Sequence, residues 1–298
     1  MLTRRNFMTR AAGATAAAGL AAACLGSGPA FASPLGQSAQ AGLRTFIDGA
    51  LVDQAAVVEW EKRRFSVVAA RLRQDYVGVL TGELDSLLTR LENAVDDVPA
   101  ARVALAQARL SIGEAGIREL LAAELVASET AARAGIAASD GRWQYAITEI
   151  ASDRGTAQGF LDWFDRARLT DDRPVWTDAC PDHYLIATLP DGRQEVIEVT
   201  GGAMLPSQFF VDYTDVTGVM VPADPAYPLT AAGVASLADG FVIGGVRHQF
   251  RDEPGGGFRA QLKVAFPAAL PGLYIAEHRW HLACEFGNWI TAYLRTVQ

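Results

Sequence analysis

The chain has 298 residues, with 26 basic and 34 acidic side chains, a net charge of −8, and half of its residues are apolar. That charge balance argues against nucleic acid and anionic membrane as partners. The length suits one large domain or two small ones, with ample apolar material for a core.

The first residues read as a targeting segment. Thr3-Arg4-Arg5-Asn6-Phe7-Met8 places two adjacent arginines before an aromatic residue, an uncharged Ala/Gly-rich stretch runs from Ala11 to Leu25, and Ala30-Phe31-Ala32 supplies the small residues that signal peptidase requires. The pattern predicts a twin-arginine signal over residues 1–32, cleavage after Ala32, and an extracytoplasmic protein, periplasmic or secreted, that begins at Ser33. The apolar stretch is too short and too rich in alanine for a spanning helix. Cys24, after Ala21-Ala22-Ala23, offers lipid anchoring as the alternative. Loss of Arg4, Arg5 and Arg10 with the signal takes the basic count from 26 to 23 and the net charge from −8 to −11.

From Gln40 to about Ala134 apolar residues recur at helical spacing: Leu43, Phe46, Ile47 and Leu51, then Phe65, Val68 and Leu72, then Leu84, Leu87, Leu88, Leu91 and Val95. Residues 33–138 are therefore predicted as a helical region, broken at Asp96-Asp97-Val98-Pro99 and resumed from Val103 to Ala134. The region holds no histidine, and its composition points to packing or to a homodimer through these helices.

Near Gly141 the character changes. Trp143, Tyr145 and Ile147 alternate with polar residues as in a half-buried strand, a short amphipathic helix spans Gly159 to Arg168, and strand-like runs follow at His183–Leu189, Glu195–Thr200, Gln208–Tyr213, Phe241–Arg251 and Arg259–Phe266. Pro254-Gly255-Gly256-Gly257 turns the last two into a hairpin, and Tyr274 to Thr296 reads as a long closing helix. Residues 139–298 are thus expected to form an α+β fold in which an antiparallel sheet grips the terminal helix.

All four histidines, His183, His248, His278 and His281, lie in this second half. On the closing helix His278, His281 and Glu285 stand at offsets of three and four, which puts them on one face. His281 and Glu285 could grip one ion together, and zinc favours such imidazole and carboxylate donors; the same spacing also makes a plain surface ion pair. His183 at a strand entrance and Glu198, alternating with apolar neighbours, are candidate donors from elsewhere. A rival set, Cys180, His183, His281 and Cys284, mirrors structural zinc spacing, and the two cysteines could instead form a disulfide. Neither a Gly-x-Ser-x-Gly nucleophile motif, nor a phosphate loop, nor a dinucleotide fingerprint is present.

Taken in order, Leu161-Asp162-Trp163-Phe164, Val175-Trp176 with Pro181-Asp182-His183, Val196-Ile197-Glu198-Val199, His248-Gln249-Phe250-Arg251-Asp252 ahead of Gly257, and His281-Leu282-Ala283-Cys284-Glu285-Phe286-Gly287-Asn288 resemble a known family. It is that of the 2,4-diacetylphloroglucinol hydrolases and their phloretin hydrolase relatives, and the resemblance covers Trp143 to the C-terminus. The resemblance implies a Bet v 1-like helix-grip fold and zinc held by His183, Glu198, His281 and Glu285. It implies hydrolysis of the carbon–carbon bond between an acyl group and a phenolic ring in a small aromatic acylated substrate. His248 would line the pocket as a proton donor. Because a ring carbon leaves only once protonated, Tyr184 and Tyr213 are further candidates for the acid. The reading of another class is an exported, non-catalytic binding protein whose cavity holds an apolar or aromatic small molecule.

Overall fold

The structure, a computed structural model, describes residues 42–75 and 82–297. The signal segment, Cys24 and the cleavage site at Ala32 lie outside the described residues. The first described elements are strands β1 (Leu43–Ile47) and β2 (Ala50–Val52), paired antiparallel across Asp48 and Gly49. Those two residues have φ of 52° and 76°, the left-handed pair that a two-residue hairpin turn requires. The helical expectation for Leu43, Phe46, Ile47 and Leu51 is therefore corrected. An Asp-Gly hairpin signal and pairing of β1 with a later strand outweigh the apolar spacing.

Three helices follow as expected: α1 (Gln54–Asp75), α2 (Gly82–Ala94) and α3 (Val98–Ser139). The break at Asp97 is the start of α3, where the Asp97 side chain accepts from the Ala100 amide at 3.2 Å and Pro99 occupies the first turn, where its missing N–H costs nothing. Gly113, with φ of 70°, kinks α3.

The rest comprises β3 (Trp143–Ser152), α4 (Ala157–Leu169), α5 (Arg173–Thr177), β4 (His183–Thr188), β5 (Gln194–Glu198), β6 (Ser207–Asp212), β7 (Leu229–Ser236), β8 (Val242–Asp252), β9 (Phe258–Pro267) and α6 (Gly272–Thr296). The described residues thus form an α+β fold with one nine-stranded antiparallel sheet, in the order β2-β1-β3-β9-β8-β7-β6-β5-β4. Strand β7 was not expected, because Ala231-Ala232-Gly233 lacks the branched and aromatic residues that mark a strand.

Residues 42–297 fall in one compact unit, and strands from both halves of the sheet reach α6. In one half Thr148 of β3 donates to the Arg279 carbonyl at 2.8 Å; in the other, His183 of the edge strand β4 stands 3.2 Å from Glu285. Helices α1 to α3 cover the outer face of β4 and β5, burying Leu185, Ala187 and Ile197 with Phe65, Leu88 and Leu105. The inner core is aromatic: Phe160, Phe164, Trp176, Phe286 and Trp289 pack with ring centroids 4.7–6.4 Å apart. Among the described residues no helix is long and apolar enough to cross a membrane.

Candidate metal centre

The β4–β5 hairpin sets the first two side chains. Its turn is closed by hydrogen bonds between Leu189 and Arg193 and between Gly192 and Leu189, and its register puts His183 directly opposite Glu198. An irregularity between His183 and Leu185 interrupts strict alternation. Tyr184 and Leu185 accordingly both enter the core beneath the helices, while His183 turns toward α6. There His281 and Glu285, one helical turn apart, present their side chains to it.

Four donor atoms converge as a result. Nε2 of His183 is 3.2 Å from Nε2 of His281, 3.2 Å from Oε2 of Glu285 and 3.6 Å from Oε2 of Glu198. Nε2 of His281 lies 3.6 Å from Glu285 and 3.8 Å from Glu198. Both imidazoles are fully buried, and the carboxylates nearly so. His183 donates from Nδ1 to the Trp176 carbonyl at 2.9 Å, which aims its Nε2 at the cluster. On the far side of His281, Nδ1 faces Sγ of Cys180 and Oδ2 of Asp182, each at 3.8 Å.

The electrostatics of the cluster are those of carboxylates and imidazoles sharing protons. Burial would raise the carboxyl of Glu285, but hydrogen bonds to His183 and His281 outweigh it and hold the group well below the usual carboxylate range. Glu198 is pushed up by burial, with the neighbouring Glu285 charge adding to it. Burial would depress His281, yet the groups of Cys180, Glu198 and Asp182 around it raise its pKa well above the ordinary value.

Cys180, His183 and His281 form a buried group that could hold a metal ion. Cys180, however, faces Nδ1 of His281, whereas both glutamates face Nε2, and the two nitrogens of one imidazole point apart. Burial also pushes the Cys180 thiol well above its ordinary pKa. Cys180 and Cys284 are both free buried thiols in the described structure.

The cluster opens on a cavity of about 390 Å³ whose wall includes Glu198, Glu285, His248 and Tyr213. Trp176, Phe164 and Ile186 border it among the inner core, and the exposed Met204 borders it at the surface. His248 packs its ring 4.6 Å from Phe286. Burial lowers its pKa to about 4, only partly offset by the Glu285 charge, so the ring is neutral at ordinary pH. Tyr213 is pushed up by burial and then by Glu285, and stays protonated. Tyr184 does not reach the cavity: it is buried in the helix-side core with no partner for its hydroxyl among the described residues. The expectation that it serves as an acid at this site is corrected by that placement. His278 borders the cavity and stacks on His281 at 4.9 Å, but stands outside the four-donor group, and neither of its ring nitrogens has a hydrogen-bond partner among the described residues.

Sequence reasoning missed the outer groups. Arg64 donates through Nε to both oxygens of Asp182, at 2.9 and 2.8 Å, and through Nη2 at 2.7 Å. Arg109 holds the carbonyls of Thr177 and Pro181 at 3.0 and 2.8 Å, fixing the loop that leads into His183. A buried arginine in an amphipathic helix carries no spacing signal that marks its partner. No model of a known protein family matches the chain, and no curated protein matches it. The class of site is thus defined by its own geometry: a buried two-imidazole, two-carboxylate cluster at the wall of a cavity that reaches the surface at Met204.

Proposed function

We propose that this chain is a zinc-dependent hydrolase that cleaves the carbon–carbon bond between an acyl group and a phenolic ring, with zinc held by His183, Glu198, His281 and Glu285. The single observation that carries the reading is the spacing of the four donor atoms, 3.2–3.8 Å for the five separations given above. Zinc bonds of roughly 2.0–2.2 Å would put neighbouring ligand atoms about 2.8–3.8 Å apart with a fifth position left for water or an acyl oxygen. The donor set fits in kind as well, since imidazole and carboxylate suit zinc and the Nδ1 bond of His183 to the Trp176 carbonyl leaves Nε2 as the nitrogen that faces the ion. A sheet whose β3 and β4 both reach one long helix is also what a Bet v 1-like helix-grip fold would require.

Bound there, zinc would supply Lewis-acid polarisation of an acyl carbonyl and activation of water. The chain's own groups account for the proton traffic. Hydrolysis adds hydroxyl to the acyl carbon and hydrogen to the ring carbon, so the ring must be made basic and then protonated. His248 borders the cavity as a neutral ring, so in place of the proton donor that the resemblance implies it can accept a hydrogen bond from a phenolic hydroxyl and push electron density into the ring. Tyr213, held protonated on the same wall, can deliver a proton to the ring carbon. Phe164, Phe209 and Trp176 give the cavity flat apolar walls for an aromatic substrate. The twin-arginine signal would deliver this activity outside the cytoplasm.

The test is the purified protein, loaded with zinc, on a panel of acylated phenols, with release of the carboxylic acid as the readout. Acid release that disappears on chelation and returns with zinc supports the reading. Tight binding of the same phenols with no acid released, with or without zinc, replaces it with the exported binding protein.

A further inference from the structure

We propose that Arg64, on helix α1, is a positioning residue for His281 and acts on it through Asp182. This rests on the zinc reading of the cluster and extends it to a part of the chain that the sequence marks only for packing.

The connection is continuous. Three contacts of 2.7–2.9 Å clamp the Asp182 carboxylate in the planar fork of Arg64, and Asp182 is fully buried with Arg64 nearly so. A fork of this kind fixes the plane of a carboxylate as well as its position, which a point charge does not. The fixed Oδ2 faces Nδ1 of His281 at 3.8 Å. The hydrogen-bond partner on that side is the Cys180 sulfur, a much weaker acceptor than a carboxylate, and Asp182, beyond hydrogen-bond distance, acts on Nδ1 through its charge. Asp182 therefore favours the proton on Nδ1 and the lone pair on Nε2, the nitrogen that faces Glu198, Glu285 and His183. A carboxylate charge behind a metal-ligating imidazole raises its basicity. Asp182 is also tied into the β4–β5 hairpin, where its carbonyl accepts from the Val199 amide at 3.1 Å. The same residue thus registers both His183 and Glu198 against α6.

Arg102 provides the contrast. It comes from the same helical layer, is equally buried, and pairs with Glu61 at 2.7 and 2.8 Å, and on α6 it donates to Asn288 at 2.8 Å, seven residues beyond His281.

The experiment measures zinc affinity by competition with a chromogenic chelator for the full chain, Arg64→Met, Arg64→Lys, Asp182→Asn and Arg102→Met, with melting temperatures recorded alongside. Arg64→Met and Asp182→Asn are expected to weaken zinc binding about 10- to 100-fold. Arg64→Lys, which keeps the charge and loses the fork, recovers part of that loss. Arg102→Met lowers the melting temperature without matching the loss of zinc affinity. Wild-type affinity in Asp182→Asn, or an equal loss in Arg102→Met, overturns the proposal while leaving the zinc site standing. Absence of zinc binding by the wild-type chain overturns both. Should Arg64→Met fail to fold, Asp182→Asn and Arg64→Lys carry the same two outcomes.

Discussion

Replacing Gly201 with alanine tests whether the loop after β5 sets the distance across the metal centre. Gly201 lies three residues beyond Glu198 and is pressed against α6: a Cβ there would stand 2.5 Å from both Cα and N of His278, against backbone that cannot rotate away. Ordinary contact begins at 3.4 Å, so loop and helix must separate by about 1 Å, the scale at which misplacement of a functional group becomes severe. Gly201 also has a φ of 26°. Overpacking at about 1–3 kcal/mol and backbone strain at about 1–2 kcal/mol together give about 2–5 kcal/mol. For a protein of this size that is a fall of about 5–15 °C in melting temperature. The same separation would carry Oε2 of Glu198 away from Nε2 of His281, already 3.8 Å distant, beyond the reach of a shared ion, and zinc affinity should fall at least about tenfold. Gly49→Ala is the control: its φ is 76° with nothing within 4 Å of the added Cβ, so it incurs backbone strain alone. Calorimetry and chelator competition on the two variants decide the matter. If Gly201→Ala melts and binds zinc as Gly49→Ala does, the reasoning fails.

His281→Ala should remove most of the bound zinc, since it deletes one of the two donors on the rigid helix; unchanged metal content by elemental analysis would sink the site. His248→Phe should keep the zinc and lose turnover of acylated phenols, and full activity in that variant would remove His248 from the chemistry. The same ring makes a pH prediction. Its folded pKa of about 4 lies below the ordinary 6.5, so its stabilising contribution is whole above pH 6.5 and is lost as the pH falls toward 4, by on the order of 3 kcal/mol. In urea titrations His248→Phe should show a shallower loss of stability across that window than wild type, and equal slopes would mean the histidine is not buried neutral.

Much of the fold was legible because each signal was local. Alternation marked β3, β5 and β8, the Pro-Gly-Gly-Gly turn marked the β8–β9 hairpin, and the breaker-poor stretch marked α6. The β1–β2 hairpin was misread because its apolar residues fit a helix as well as a strand, although Asp48-Gly49 was the arbiter. On the helix, His281 and Glu285 were legible from spacing, and the structure brings them to His183 and Glu198. Glu198 could be placed only through the hairpin register that sets it opposite His183. Tyr184 went astray because the irregularity after His183 changes which face each residue takes. Arg64 and Asp182 lie 118 residues apart in the chain, and nothing short of tertiary packing announces such a pair.

The most direct test of the central claim is the metal content of the purified protein, by elemental analysis, beside a Glu285→Ala variant. About one zinc per chain, lost in the variant, is the result the four-donor site requires. A chain that carries no zinc after incubation with it, or a variant that keeps its zinc, would contradict the account.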